Sequence, residues 1–170
     1  MTKTTCHTIK PDSSVICIRP AQSGDRAMLC ELGRQEHEES LFCNLTFSET
    51  KFNDIFAEGI RADTSSLGLV AEYQRQLVGF MYCTLGEYFI AQSGLIVSVN
   101  ITYIKQDLRQ TLLSGKLALR LVHAIRQWAK DNQAAYIVFY ATSGIRVSQT
   151  DAFFRKLRLT TLGGNYAVQL

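Results

Sequence analysis

Proline is almost missing from this chain of 170 residues, which carries only Pro11 and Pro20. Beyond residue 20, helices and strands run without the ring that fixes φ and removes a backbone donor. No apolar run reaches the roughly 18 residues of a membrane-spanning helix, so no membrane partner is expected. The five cysteines, Cys6, Cys17, Cys30, Cys43 and Cys83, form no Cys-x-x-Cys pair, which argues against a zinc ribbon or a redox motif. They read as buried free thiols in a reducing cytosol. His7, His37 and His123 lie far apart and lack metal-ligand spacing, so no metal is expected. Charge is sparse too. Charged residues make up 19% of the chain and the net charge is +3, without the clustered Lys and Arg of a nucleic-acid surface. That balance suits a small anionic ligand. Residues 1–14 are polar and lack the apolar stretch and small-residue cleavage site of a signal peptide. They read as an extension preceding one domain over 15–170, in a cytoplasmic protein.

What is present is an ordinary globular composition, 46% hydrophobic, with enough length for one core. Val15 to Arg19 alternates and predicts a first strand, ended by Pro20. Ser23-Gly24-Asp25 offers caps for a helix over 24–39. Phe52, Ile55, Phe56 and Ile60 recur at helical spacing after Ser48. Two apolar runs, 67–73 and 77–83, flank the polar Gln74-Arg75-Gln76 and predict a β-hairpin. Leu95 to Lys105 predicts another strand. Leu113, Leu117, Leu121, Ala124, Ile125 and Trp128 form the stripe of an amphipathic helix over 113–131. Tyr136 to Ala141 predicts a strand, Asp151 to Leu157 a short helix, and Asn165 to Leu170 a closing strand. The order β-α-α-β-β-β-α-β-α-β implies a mixed sheet covered by helices, of the α/β (α+β) class.

Several segments in that order resemble the Gcn5-related N-acetyltransferases (GNAT). Ile18-Arg19-Pro20-Ala21 with Gly24-Asp25 resembles the family's opening strand and helix. Val70-Ala71-Glu72 with Leu77-Val78-Gly79-Phe80 resembles its hairpin. Tyr103-Ile104-Lys105-Gln106-Asp107-Leu108-Arg109 resembles the end of its fourth strand, and Ala152-Phe153-Phe154-Arg155-Lys156-Leu157 its late helix. Glu39-Ser40 and Gly163-Gly164-Asn165-Tyr166 are closest to divergent, bacteriophage-type members. The resemblance implies the GNAT fold, a mixed, mostly antiparallel sheet flanked by helices. It also implies acetyl-CoA as co-substrate, direct acetyl transfer to a primary amine on a small molecule or protein, and the option of a homodimer.

A loop that opens a helix points free N–H groups outward, and the helix dipole there favours phosphate. The family's phosphate loop, carried over, falls on Arg109, Gln110, Thr111, Leu112, Leu113 and Ser114, followed by Gly115 and Lys116. Leu112 stands where the family has its first loop glycine, and Ser114 where it has a small residue. Arg109 and Lys116 add positive charge near the phosphates. The strand ending in Tyr103, Ile104 and Lys105 is implied to pair with the pantetheine amides.

Transfer needs a base for the amine and an acid for the leaving thiolate. Family members often place a Tyr acid on the late helix. Phe154 occupies that position here, leaving Tyr166, Tyr103 or Ser148 as substitutes. Segment 95–105 contains no carboxylate, so Glu38, Glu39 and Glu87 are the candidate bases, with His37 beside them. Glu38 and Glu39 read equally as a solvated helix end. Leu112 and Phe154 keep a second reading open, a GNAT-fold protein that binds or inhibits a partner without turnover. A small α/β domain unrelated to GNAT stays open as a third.

Overall fold

Residues 16–61, 65–164 and 166–168 are described by a computed structural model of the chain. β1 (Ile16–Pro20) is five residues long and ends on its proline. A 3₁₀ turn (Ser23–Asp25) leads into α1 (Arg26–Glu39). Asp25 locks this junction. Its carboxylate takes two hydrogen bonds from Arg19, at 2.7 and 2.8 Å, and one from the Gln22 N–H at 2.8 Å. Arg19 also reaches Glu72, so one guanidinium ties β1, α1 and the next strand together. The neighbouring Arg19 guanidinium holds the Asp25 carboxyl below its usual range, against a smaller opposing effect of burial.

α2 (Glu49–Arg61) follows, then β2 (Ser66–Tyr73), β3 (Gln76–Glu87) and β4 (Leu95–Ile104) as an antiparallel meander. The hairpin turns on Gln74 and Arg75, both at positive φ (51° and 63°). This is the twist that suits a two-residue hairpin, built here without the usual Gly or Asn. A second 3₁₀ turn (Gln106–Leu108) precedes α3 (Leu112–Asp131), and β5 (Ala134–Phe139) pairs parallel to β4. α4 (Val147–Lys156) is the last regular element among the described residues. The sheet order is β1-β2-β3-β4-β5.

Two apolar layers cover this sheet. On one face Leu117, Leu121 and Ile125 of α3 are fully buried against Met81, Val97 and Val99. On the other, α1 and α2 pack an aromatic cluster in which Phe56 lies 4.8 Å from Phe52 and 5.2 Å from Phe80. Gly59 lets α2 touch the strand below, since an added Cβ would sit 2.7 Å from the Gly68 nitrogen. The register of β4 against β3 shifts at Asn100: Val99 pairs with Cys83 but Ile101 pairs with Tyr82. This bulge turns the strand over. Val97 and Val99 face α3, whereas Ile101 and Tyr103 face α1 and α2.

The structure departs from the expectations in several places; β3 runs on to Glu87, four residues beyond the expected end at 83, and β5 ends at Phe139, short of Ala141. β5 begins two residues earlier than 136, because Gln133 at φ 57° turns the chain straight out of α3. α4 begins at Val147 rather than 151, set by Arg146 in the left-handed conformation (φ 47°, ψ 48°). Tyr166, Ala167 and Val168 form no strand, and Tyr166 is 96% exposed. The rest of that expected strand, Asn165, Gln169 and Leu170, lies outside the described residues, as does Val15 of the first strand. Finally, the thiols are not all buried. Cys30 and Cys83 are, but Cys17 and Cys43 are exposed, and Cys6 is outside the described residues. Burial pushes the Cys83 thiol up to about 12, as expected of an inert core thiol. No helix among the described residues is long and apolar enough to cross a membrane.

Candidate functional site

β4 and β5 run together only as far as Val99 and Phe139. Their last link is the Tyr140 N–H donating to the Val99 carbonyl at 3.0 Å. Beyond it the strands part, while β4 continues beside β3 to Ile104. The Lys105 N–H donates to the Val78 carbonyl at 2.9 Å, so residues 101, 103 and 105 turn their backbone groups toward β3. Thr102 and Ile104 consequently turn theirs toward the gap. A strand edge unpaired on one side is a template for an extended ligand with its own amides.

A cavity of about 560 Å³ fills this gap. Its walls come from β4, the chain beyond β5, the first turns of α3, the end of α1 and α4. A strap crosses nearby. The Leu41 N–H donates to the Ser143 carbonyl at 2.8 Å, joining the α1–α2 loop to the β5–α4 loop.

α3 opens onto the cavity. Thr111, its N-cap, is extended (φ −105°, ψ 158°) and makes no side-chain capping bond. Thr111 Oγ1 instead donates to the Leu108 carbonyl at 2.6 Å. The first-turn N–H groups of α3 thus find no acceptor in the side chain of this cap. Ser114 and Gly115 line the cavity, and a Cβ added to Gly115 would meet nothing within 4 Å. Leu112 is 89% exposed and is not part of the cavity wall. Its side chain faces solvent and leaves the space before the helix open.

Among the residues singled out in the sequence, Tyr103, Ile104, Arg109, Gln110, Ser114 and Gly115 line the cavity. Lys105, Thr111, Leu112, Leu113 and Lys116 do not. Arg109 is turned inward. It forms an ion pair with Glu39, donates to Glu39 Oε1 at 3.0 Å and to the Ile104 carbonyl at 2.6 Å, and stacks 4.8 Å above the Tyr103 ring. Tyr103 donates its hydroxyl to Glu39 at 2.7 Å. Burial, and then that bond, raises the phenol well above its ordinary range. Glu39 and Tyr103 are therefore engaged with each other and with Arg109. Glu38 and Glu87 are exposed and Tyr166 projects from the C-terminal segment, all three outside the cavity wall. Phe154 does line it, 4.9 Å from Phe139, and Ser148 does not.

Further polar residues of the wall include Glu36, His37 and Arg146, and sequence reasoning passes over Glu36 and Arg146. Glu36 is the single carboxylate lining the cavity among the described residues. Burial raises its carboxyl above the ordinary range, helped by Glu39 and opposed by His37 and Arg109. His37, next in sequence, holds the Leu45 carbonyl at 2.6 Å through Nε2 and also lines the cavity. Arg146 is a cation of the wall outside the Glu39 knot. Helical phase was the available signal for Glu36, which lies on the stripe of Leu29 and Leu32. No group of three His, Cys, Asp or Glu among the described residues is placed to hold a metal ion.

No protein-family model matches this chain, and no curated protein matches it by sequence. Solved structures do. The aminoglycoside N-acetyltransferase AAC(6')-Iy in complex with CoA aligns over 95% of this chain and 99% of its own, with TM-score 0.71 at 14% identity. Glucosamine-6-phosphate N-acetyltransferase from Arabidopsis thaliana aligns over 92% and 99%, with TM-score 0.66 at 14% identity. A transcriptional regulator from Bacillus halodurans C-125 aligns over 92% and 100%, with TM-score 0.71 at 15% identity. At such identities the likeness is one of backbone, and it identifies this five-stranded sheet with its flanking helices as the fold of the GNAT acetyltransferases.

Proposed function

We propose that the chain binds acetyl-CoA in the gap between β4 and β5 and transfers the acetyl group to a primary amine by direct attack. The observation that carries this reading is the meeting of two features in one cavity, the open edge of β4 and the uncapped first turn of α3. Pantetheine is an extended chain with two amides, and the Thr102 backbone groups and the Ile104 N–H offer it a strand to pair with, the Ile104 carbonyl being taken by Arg109. The diphosphate suits the free N–H groups of residues 112–114 at the positive end of the α3 dipole. Gly115 leaves room for its approach, and the exposed Leu112 side chain does not obstruct it. Among the structural neighbours, AAC(6')-Iy forms complexes with CoA and with a CoA bisubstrate analogue, which supports the same ligand class.

The thioester supplies the activated acetyl group, and the chain holds it beside the amine. Holding both reactants in line removes much of the barrier through proximity alone. Phe154, facing Phe139 in the wall, excludes water but has no proton for the departing thiolate. The same phenylalanine favours a second reading, in which the chain binds CoA or a partner protein without turnover.

Thermal unfolding with and without acetyl-CoA tests binding. At a hundredfold excess over Kd a ligand of the native state adds about 2.7 kcal/mol. For a chain of this size that is a rise of about 5–10 °C in Tm. Release of free thiol with a panel of primary amines then separates transfer from binding alone. No shift with saturating acetyl-CoA removes the whole reading. A shift without thiol release favours the second.

A further inference from the structure

We propose that Glu36 is the group that receives the acceptor amine, binding it as the ammonium ion and taking its proton. The inference deepens the transfer reading and rests on it for the direction of proton flow. Three acids, Glu36, Glu38 and Glu39, crowd the last turn of α1, and helical phase decides which of them meets the cavity. Glu38 is exposed, and Glu39 is bound by Arg109 and Tyr103. Among the described residues, Glu36 alone brings a carboxylate to the wall. It makes no hydrogen bond or ion pair among them. A half-buried carboxylate without a partner is unfavourable, and a cation entering the cavity relieves that cost. The cavity also contains Arg109 and Arg146, but neither forms an ion pair with Glu36; the Arg109 guanidinium is closed onto Glu39 and the Ile104 carbonyl, and its charge offsets the burial of Glu36 only in part.

The position fits the chemistry. Glu36 sits near the end of α1 and shares the cavity wall with Ser114 and Gly115 of α3, where the diphosphate is placed in the transfer reading. An ammonium ion held there meets a carboxylate made more basic by burial, which brings its affinity for a proton closer to that of the amine. Glu36 takes one proton from the ammonium. The freed nitrogen lone pair forms the C–N bond to the acetyl carbonyl carbon as the C–S bond breaks, and the electron pair leaves with sulfur. The second nitrogen proton passes to the thiolate, and Glu36 returns its proton to solvent. Apolar residues of the same wall, such as Phe42 and Ile101, favour an acceptor whose amine is carried on a partly apolar arm.

The test uses the whole chain labelled with ¹³C at glutamate Cδ, the Glu36 signal being assigned by its loss in Glu36→Gln. Butylamine and putrescine are titrated in the absence of coenzyme, with N-butylacetamide, which has no basic nitrogen, and butanol as controls. A saturable shift of the Glu36 signal with the two amines, absent for butanol and for the exposed Glu38, is the expected result. No saturable shift at Glu36, or an equal one at Glu38, overturns the proposal. With acetyl-CoA present and an amine that is turned over, Glu36→Gln is expected to lower kcat by about 100-fold or more while the Kd for CoA is unchanged. Retained kcat overturns the proton-taking role. Failure of CoA to bind the wild-type chain removes the transfer reading and leaves the amine titration to decide on Glu36 by itself.

Discussion

Replacing Glu39 by Gln tests the knot that joins α1 to the loop before α3. Glutamine keeps the shape and still accepts from Tyr103, but it removes the charge opposite Arg109. The Arg109 and Glu39 side chains are only 13% and 19% exposed, so the pair is largely withdrawn from water. Breaking a buried pair by removing one partner costs about 3–5 kcal/mol, and residual exposure here favours the lower end. For a chain of this length, about 3 kcal/mol lowers Tm by roughly 6–12 °C. Arg109→Met should cost a similar amount, and Glu39→Gln with Arg109→Met should cost clearly less than the sum. Calorimetric melting of the four proteins measures this coupling. A change of a degree or less in Glu39→Gln, or simple addition of the two losses, refutes the pairing. The same proteins separate two roles for Arg109. With its guanidinium turned onto Glu39 and Ile104, the double variant is expected to bind CoA within a few-fold of wild type. If Arg109 instead bonded a phosphate directly, its removal would weaken binding by about 10- to 150-fold.

Glu36→Gln is expected to raise Tm at neutral pH. A carboxyl whose pKa rises on folding gives its full stabilisation below its unfolded pKa of about 4.3 and loses it as pH rises through the folded value. The gap between variant and wild type should therefore close in acid, with His37, Glu39 and Arg109 as the charged neighbours; a pH-independent loss in the variant would show that Glu36 has a partner. Asp25 has the opposite sign. Its lowered pKa gives stability above the unfolded value of about 3.9 that is lost as pH falls through the folded value, so Asp25→Asn should flatten the acid limb of the Tm profile. Gln74→Asn with Arg75→Gly should add about 1 kcal/mol, or about 2–4 °C, by relieving two left-handed residues in the hairpin, read by the same melting experiment.

The hairpin and α3 were legible in the sequence because their signals are local. Apolar runs of strand length flank a polar turn, and a stripe from Leu117 to Trp128 keeps one period. The turn-over of β4 was not. Val97, Val99, Ile101 and Tyr103 alternate without a break, which implies one face, but the bulge at Asn100 divides them between the two layers. Asn100 donates to Thr84 Oγ1 at 3.1 Å, a bond that no local pattern announces. The Arg109–Glu39 knot was equally hidden, because its partners are 70 residues apart. In the run Glu36-His37-Glu38-Glu39 the three acids are the same residue type, and only helical phase against Leu29 and Leu32 separates the acid in the cavity from the one in solvent. The phosphate-loop segment was placed by family resemblance, and within it the outward turn of Leu112 depends on where α3 begins.

Isothermal titration of acetyl-CoA into the wild-type chain and into Ala118→Phe tests the cavity between β4 and β5 most directly. Ala118 lines that cavity one turn beyond Ser114, so a phenyl ring there occupies the space assigned to the coenzyme. Saturable heat at one coenzyme per chain in the wild type, lost in a variant that still melts cooperatively, is the expected result. No heat in the wild type, or undiminished binding in Ala118→Phe, would contradict the account.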